Sequence, residues 1–348
     1  MQGELFEMHE QAGARMVEVD GWEAPDVFTT VEAEYAAAHT GAVIYDSSSR
    51  GRLRLTGSTR LDFLHRMSTN EMNALRPGQG AATILTTPIG RIIDRIMVYV
   101  RENDLLALTS RGAHAAVINW LKKYIFFNDD VQLHDVTGQL GMVSIYGPQA
   151  SETVARLVDQ NVSGLSWHAW QPTSEGAWVA RADALAGAGF HIFTSTPAAL
   201  APLWGRAVES GVAPIGEQAF EALRIEAGLP RYGHELSETY IPLEVGLWRD
   251  VSFTKGCYIG QEIIARMESR QRLAKQLVGL RASERLESGT ELSVDGTSIG
   301  KVSSAAHRAE HDWLALAFVK PPQAIPGTRV LLGTEPALEA EVTSFPIP

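Results

Sequence analysis

The chain has a single cysteine in 348 residues, Cys257. That excludes an intrachain disulfide and any zinc site built from several thiolates, and it fits a reducing compartment. Positive charge is also short. Lys and Arg number 30 against 41 Asp and Glu, for a formal net charge of −11. A chain this acidic has no overall field to hold nucleic acid, so no nucleic-acid partner is expected and any anion must meet a local basic patch. No apolar run is long enough to span a bilayer. The opening Met1-Gln2-Gly3-Glu4-Leu5 is acidic and lacks the basic flank and apolar stretch of a secretory signal. The expectation is a soluble, cytosolic protein. There is no phosphate-binding loop of the Gly-Lys-Ser/Thr type. Gly187-Ala188-Gly189 leads into a strand pattern and so is not a dinucleotide fingerprint. His307 and His311 fall in an expected hairpin turn, where four-residue spacing does not make a metal pair. No metal site is expected.

What remains is an ordinary globular balance, 45% hydrophobic and 20% charged, long enough for two or three domains. Residues 6–22 read as a helix leading into Met16-Val17-Glu18-Val19, and Thr30–His39 as a second helix. Arg52-Leu53-Arg54-Leu55-Thr56 alternates like a half-buried strand. Thr59-Arg60-Leu61-Asp62 reads as a capping box opening a helix to Met67. A hairpin follows, Arg95–Val100 with Leu105–Leu108, and Thr109-Ser110 reads as the cap of a helix to Phe126. The same order returns: strand Met142–Tyr146, helix Ser151–Val158, hairpin Trp178–Ala182 with Phe190–Phe193, then a helix after Thr194-Ser195. The fold class read from this is α+β, with a duplicated, ferredoxin-like α/β unit. Beyond Arg272 the texture becomes short alternating strands with Gly and Pro between them: Gln276–Arg281, Glu291–Val294, Ser298–Ser304, Trp313–Val319 and Arg329–Leu332. That predicts a body over 1–272 and an all-β barrel over 273–348. The basic stretch Arg266, Arg270, Arg272 and Lys275 at the boundary reads as a solvated linker or as a patch for an anionic partner.

The densest local chemistry is Lys255-Gly256-Cys257-Tyr258-Ile259-Gly260-Gln261-Glu262. Two glycines four apart permit a tight backbone path around a thiol. An ammonium two residues before that thiol could raise its thiolate fraction, making Cys257 a nucleophile, a redox thiol or a soft ligand. The plain alternative is a small buried apolar residue.

This eight-residue segment resembles the signature of the YgfZ-type folate-binding proteins that support iron–sulfur cluster assembly, a branch of the glycine-cleavage T-protein (aminomethyltransferase) superfamily. Gly13–Glu18, Gly21-Trp22, Thr69-Asn70, Gly90–Asp94, Leu223–Leu229, Tyr232-Gly233 and Pro242–Leu247 extend the likeness to the T-protein over nearly the whole chain. The resemblance implies a bipartite folate-binding body with a C-terminal barrel around a central pocket for tetrahydrofolate or a one-carbon derivative. It implies Cys257 as the active residue, Lys255 as its tuner, Gly256 and Gly260 as shapers of the loop, and Tyr258, Gln261 and Glu262 as orienting groups. Asp94 matches the T-protein aspartate that orients the attacking folate nitrogen; the plain alternative is a strand-end aspartate paired with Arg91 or Arg95. For the pterin edge a carboxylate is needed, and Glu226, Glu244 and Glu262 are candidates. For the glutamyl tail a forked guanidinium suits, and Arg224, Arg249 and Arg266 are candidates. Tyr232 joins them as a pocket residue. Two departures stand out. The T-protein has no cysteine in its Lys-Gly motif, and its Gly-aromatic-Glu pterin segment is Gly189-Phe190-His191 here. Support of iron–sulfur assembly or repair, with iron–sulfur proteins or their assembly machinery as partners, is the first expectation. A folate-dependent aminomethyl- or methyltransferase is the second, and a folate-binding scaffold without chemistry the third.

Overall fold

The computed structural model describes residues 1–173, 176–270, 272–333 and 338–348. Two sheets build the body. The first runs, edge to edge, Gly80–Thr86, Ile92–Val100, Leu105–Arg111, Arg50–Thr56 and Gln132–Asp135, all antiparallel. The helices Arg60–Met67 and His114–Lys122 belong to this unit. Strand, helix, hairpin, helix, strand, with the last strand beside the first, is the ferredoxin-like arrangement, here carrying Gly80–Thr86 as an added edge strand. The second sheet repeats it: Trp170–Pro172, Trp178–Arg181, Ala188–Thr194, Gly141–Gly147, Val43–Asp46 and Ala213–Pro214. Here Val43–Asp46, from the N-terminal part of the chain, inserts beside Gly141–Gly147 and pushes the closing strand Ala213–Pro214 one place outward. The duplication expected from the repeat is therefore present, with the second copy split.

The two sheets face each other. Tyr99, Leu106 and Leu108 from the first pack with Met142, Trp178 and Phe193 from the second. Trp178 stacks flat on Phe193 at 3.7 Å between centroids. Such aromatic pairing supplies large buried area, roughly 150–250 Å² per ring. The third layer is a closed antiparallel barrel in the order Gln276–Ala282, Asp312–Val319, Thr297–Ala309, Glu291–Val294, Arg329–Leu332, Leu338–Thr343 and back to the first. Leu338–Thr343 closes it and was not anticipated, although its residues alternate apolar and polar as a barrel strand requires.

One helix ties the parts together. Glu217–Glu226 puts Ala219 and Leu223 against the second sheet's core and Ala222 and Ile225 against barrel residues Leu314, Leu316 and Phe318. Among the described residues, no helix is long and apolar enough to cross a membrane.

Several local expectations are corrected. The first helix covers only Phe6–Gln11; Arg15–Val19 and Trp22–Val27 form a hairpin about Asp20 and Gly21, both at positive φ. The alternation in Met16–Val19 outweighed the helical pattern. Thr59 does precede a helix, but its side chain makes no cap bond. Thr109 and Ser110 are not caps: they continue the strand Leu105–Arg111, Gly112 turns the chain at φ +75°, and the helix runs His114–Lys122, ending before Phe126.

Candidate active site

Two cavities open where the sheets, the helix Glu217–Glu226 and the loop after it meet. The smaller, about 160 Å³, has Arg50, Ser110, Arg111, His191, Glu217 and Tyr232 on its walls, with Leu185, Phe220 and Leu236 beside them. The larger, about 780 Å³, is lined by Trp167, Leu243, Trp248, Arg249, Leu273 and Phe345 among others. They share a wall: Arg95, Asp183, Leu229 and Pro230 border both.

That wall is electrostatically tight. Arg95 donates from Nε to Asp250 at 2.6 Å and from Nη1 to Asp183 at 2.7 Å. Burial opposes ionisation of Asp183, but the Arg95 charge prevails and holds its carboxyl at about 2. His168 Nε2 lies 3.9 Å from Asp183; the residue is 5% exposed, and neither ring nitrogen has a hydrogen-bond partner among the described residues. Burial lowers its pKa, so it is neutral near pH 7.

Asp94 sits behind the smaller cavity, fully buried in the strand Ile92–Val100. Its two carboxyl oxygens accept from the backbone N–H groups of Arg95 and Ser110, both at 2.9 Å. Burial raises the carboxyl to about 6, with the Ser110 bonds and the Arg50 charge pulling the other way. Neither arginine expected to neutralise it does so: Arg95 is spent on Asp183 and Asp250, and Arg91 donates to the Thr239 carbonyl at 2.8 Å. A neighbouring hydroxyl responds. Burial and then the Asp94 charge raise the Tyr232 pKa.

His191 is also on the smaller cavity's wall. Burial and Arg50 push its pKa well below the ordinary value. The neutral ring bonds Ser144 Oγ through Nδ1 at 2.8 Å and faces Arg50 Nη1 through Nε2 at 3.4 Å. Arg50 can only donate, so Nε2 accepts and Nδ1 carries the proton.

The helix Glu217–Glu226 contributes a whole stripe. Glu217, Phe220, Glu221 and Arg224 recur at i, i+3, i+4 and i+7 and all line the smaller cavity. Arg224 is buried there but neutralised by Glu221 and by Glu235 at 3.4 Å. Glu226 is off the stripe. It accepts from Tyr35 and from His39 at 3.1 Å, and lines neither cavity. Glu244 is turned to the Ile241 N–H at 3.2 Å, with Arg91 3.9 Å away. Glu262 and Arg266 form an exposed i,i+4 pair at 2.9 Å. The three carboxylates offered for the pterin edge are thus all directed elsewhere. Of the three arginines offered for the tail, Arg249 borders the larger cavity and rests on the Trp167 ring at 5.7 Å.

The Lys-Gly-Cys segment lies apart from both cavities. Cys257 is exposed. Lys255 is buried, and its ammonium donates to the carbonyls of His65, Ser68 and Asn70 at 2.5, 2.7 and 2.7 Å. Burial lowers it to about 8, against the Glu71 charge. Its donors are committed to the end of the helix Arg60–Met67, not to the thiol. The Tyr258 ring is buried, 5.1 Å from Lys255 Nζ. Gly260 has φ +86°, and a Cβ there would meet Thr86 Oγ1 at 2.6 Å, so only glycine fits. Gly256 has open space around it and no such demand. Gln261 begins the helix Gln261–Arg270.

Arg50, Arg95, Asp183, His168 and Asp250 form no sequence motif. The one local signal that could have pointed to the cavity is the polar stripe on an otherwise buried helix. Comparison with known proteins agrees with this architecture. The family profile described as the GCVT N-terminal domain matches residues 5–255. A chloroplastic protein of Arabidopsis thaliana, described as an unproven transferase, is 32% identical over 86% of this chain and 70% of its own length. The aminomethyltransferase of Bacillus subtilis is 29% identical over 86% of this chain and 85% of its own. The crystal structure of the glycine cleavage system aminomethyltransferase T from Bartonella henselae superposes with a TM-score of 0.91 at 21% identity, covering 100% of this chain and 98% of that one, a likeness of fold. The chain therefore belongs to the GCVT family of aminomethyltransferase-like proteins.

Proposed function

We propose that the protein binds tetrahydrofolate, or a one-carbon derivative of it, in the two adjoining cavities. The observation that carries this is their adjacency: a chamber walled by Arg50, Arg111, Glu217 and His191 and one walled by Trp167, Leu243, Trp248 and Phe345 meet at Arg95 and Asp183. Folate likewise joins two parts, a flat polar pterin and a benzoyl linker that ends in carboxylates. Phe220 and Tyr232 offer ring faces in the smaller chamber. Trp167 and Trp248 line the larger one, and Arg249 there has no carboxylate partner among the described residues, which suits a glutamyl tail. Bound folate would supply a carrier for a one-carbon unit. The chain's own part is to hold and to titrate. Asp94, near 6 and buried behind the smaller cavity, can hold or release a proton close to neutrality. Neutral His191 stands where the T-protein-like carboxylate is missing, with its Nε2 facing Arg50.

What the folate serves is read from the exposed Cys257. We take the protein to support iron–sulfur cluster assembly or repair, with that thiol as the reactive group. Lys255 then acts by fixing the turn rather than by tuning the thiol. A second reading, aminomethyl or methyl transfer, is favoured by the buried Asp94 and by the names of the relatives. Titration with tetrahydrofolate, followed through the eight tryptophans, tests the first step. Saturable binding is expected, and its absence would remove folate. Cys257→Ser should fail to restore a cluster-dependent enzyme in a depleted cell. Full restoration by that variant, together with methylene-tetrahydrofolate formation that Asp94→Asn abolishes, would favour the transferase instead.

A further inference from the structure

We infer that Arg50 and Arg111, side by side on the floor of the smaller cavity, form a subsite for a carboxylate. The inference rests on the reading of that cavity as a ligand site, and it concerns a contact that reading does not supply. The two residues are direct partners across the antiparallel strands Arg50–Thr56 and Leu105–Arg111, and both line the cavity. Directly opposed like charges destabilise a sheet. Here the backbone holds them close all the same. Gly51, next in sequence, is packed so tightly that a Cβ would lie 2.2 Å from Thr109 Oγ1.

Only one of the pair makes an ion pair with a carboxylate among the described residues. Arg111 Nη2 donates to Glu217 at 2.8 and 2.9 Å and to Tyr45 at 2.7 Å, while its Nη1 is buried with no hydrogen-bond partner among the described residues. Arg50 meets only neutral acceptors, the Thr109 carbonyl at 3.5 Å and His191 Nε2 at 3.4 Å, with no ion pair among the described residues. The charge of buried Asp94 is felt by Arg50, but the two make no ion pair, and the Asp94 oxygens accept from the backbone N–H groups of Arg95 and Ser110. One guanidinium without a salt-bridged carboxylate and one that has such a partner thus line the same space. A two-oxygen monoanion matches such a pair of donors. A dianion such as phosphate matches less well, because Asp20, Glu217 and Glu221 are also on the walls. The carboxylate can come from a small acid bound beside the folate or from the folate's own glutamyl end.

The full-length protein should be titrated by calorimetry with acetate and glycine, and with acetamide and glycinamide as probes that lack the carboxylate. Wild type should bind acetate and glycine saturably and their amides not at all. Arg50→Gln should weaken acetate at least about tenfold, a loss of ~1.4 kcal/mol, and Arg50→Lys should weaken it less, because charge is kept and only the fork is lost. Arg111 is left intact because it holds Glu217 and Tyr45. A melting curve for each variant reports folding separately. Equal binding of acetate and acetamide, no acetate binding to wild type, or unchanged affinity in Arg50→Gln each overturns the subsite. Competition then names the source. Acetate that binds alongside tetrahydrofolate indicates a small acid. Acetate displaced by tetrahydrofolate but not by 6-methyltetrahydropterin indicates the glutamyl end. Displacement by the methylpterin, which has no carboxylate, would show that the arginines hold the pterin and would overturn the proposal. Tetrahydrofolate that fails to bind while acetate binds would remove the folate reading and leave the subsite standing.

Discussion

Asp94 offers the most quantitative handle. Its carboxyl is fully buried and sits at about 6, against 3.8 for the ordinary group. The difference, about 2.2 units, corresponds to ~3 kcal/mol at 1.36 kcal/mol per unit. The sign follows from which state holds the proton. Below about 3.8 both states are protonated and the native state keeps its full stability. As pH rises from there to about 6, the unfolded chain ionises first, so native stability falls, and it levels off above that window. Asp94→Asn removes the titration while keeping a shape close to the protonated acid. The variant should be less stable than wild type at pH ~3.5, because its amide NH2 faces one of the two backbone N–H groups, and its stability relative to wild type should rise by ~3 kcal/mol by pH ~7.5. Urea unfolding of both proteins across that range gives the difference directly, free of the other carboxylates that titrate in common. A wild-type-minus-variant difference that stays flat with pH would refute the placement of Asp94 as a buried, proton-holding group.

Three further outcomes follow from the same geometry. Arg95→Met leaves Asp183 and Asp250 buried without their cation and should cost ~3–5 kcal/mol. Because Asp183 is held at about 2 by Arg95, that gap should narrow as pH drops below about 4, and denaturant titration at two pH values reads it. Lys255→Met strands three carbonyls and should cost ~3 kcal/mol or more, yet the rate at which Cys257 reacts with a thiol reagent, measured below the melting transition, should change less than about threefold. A tenfold slowing would return to Lys255 the tuning role the geometry denies it. Gly260→Ala forces a Cβ onto a left-handed backbone against Thr86 and the Thr87 carbonyl and should lower stability by at least ~2 kcal/mol in a thermal melt. An unchanged melting temperature would mean that the turn is not held as described.

The repeat and the barrel were legible in the residues because they rest on short-range patterns. Alternation in Arg52–Thr56, the unbroken apolar run Trp313–Val319, and the matched order of strand, helix and hairpin survive any tertiary arrangement. The helix opening at Thr30 was legible for the same reason, since its hydroxyl accepts from Ala33 N–H within the same turn at 3.2 Å. Where two local signals competed, as at Met16–Val19 and at Thr109-Ser110, pairing with a neighbouring strand decided the outcome.

The site was legible only in part. The sequence alone determined that one thiol exists, that it stands in a Lys-Gly-Cys segment, and that glycine is needed near it. Tertiary structure decided which groups that thiol and the cavities meet. Arg95 finds Asp183 and Asp250 at separations of 88 and 155 residues, beyond the reach of any motif. Arg224 and Glu226 lie two apart on one helix, and two residues turn a helix by ~200°, so one faces the cavity and the other faces Tyr35. Lys255, two residues from Cys257, sends its ammonium to the end of another helix because three carbonyls there lacked donors. Neighbours in sequence share a direction only when the backbone allows it, and buried charges go where countercharge and hydrogen bonds already wait.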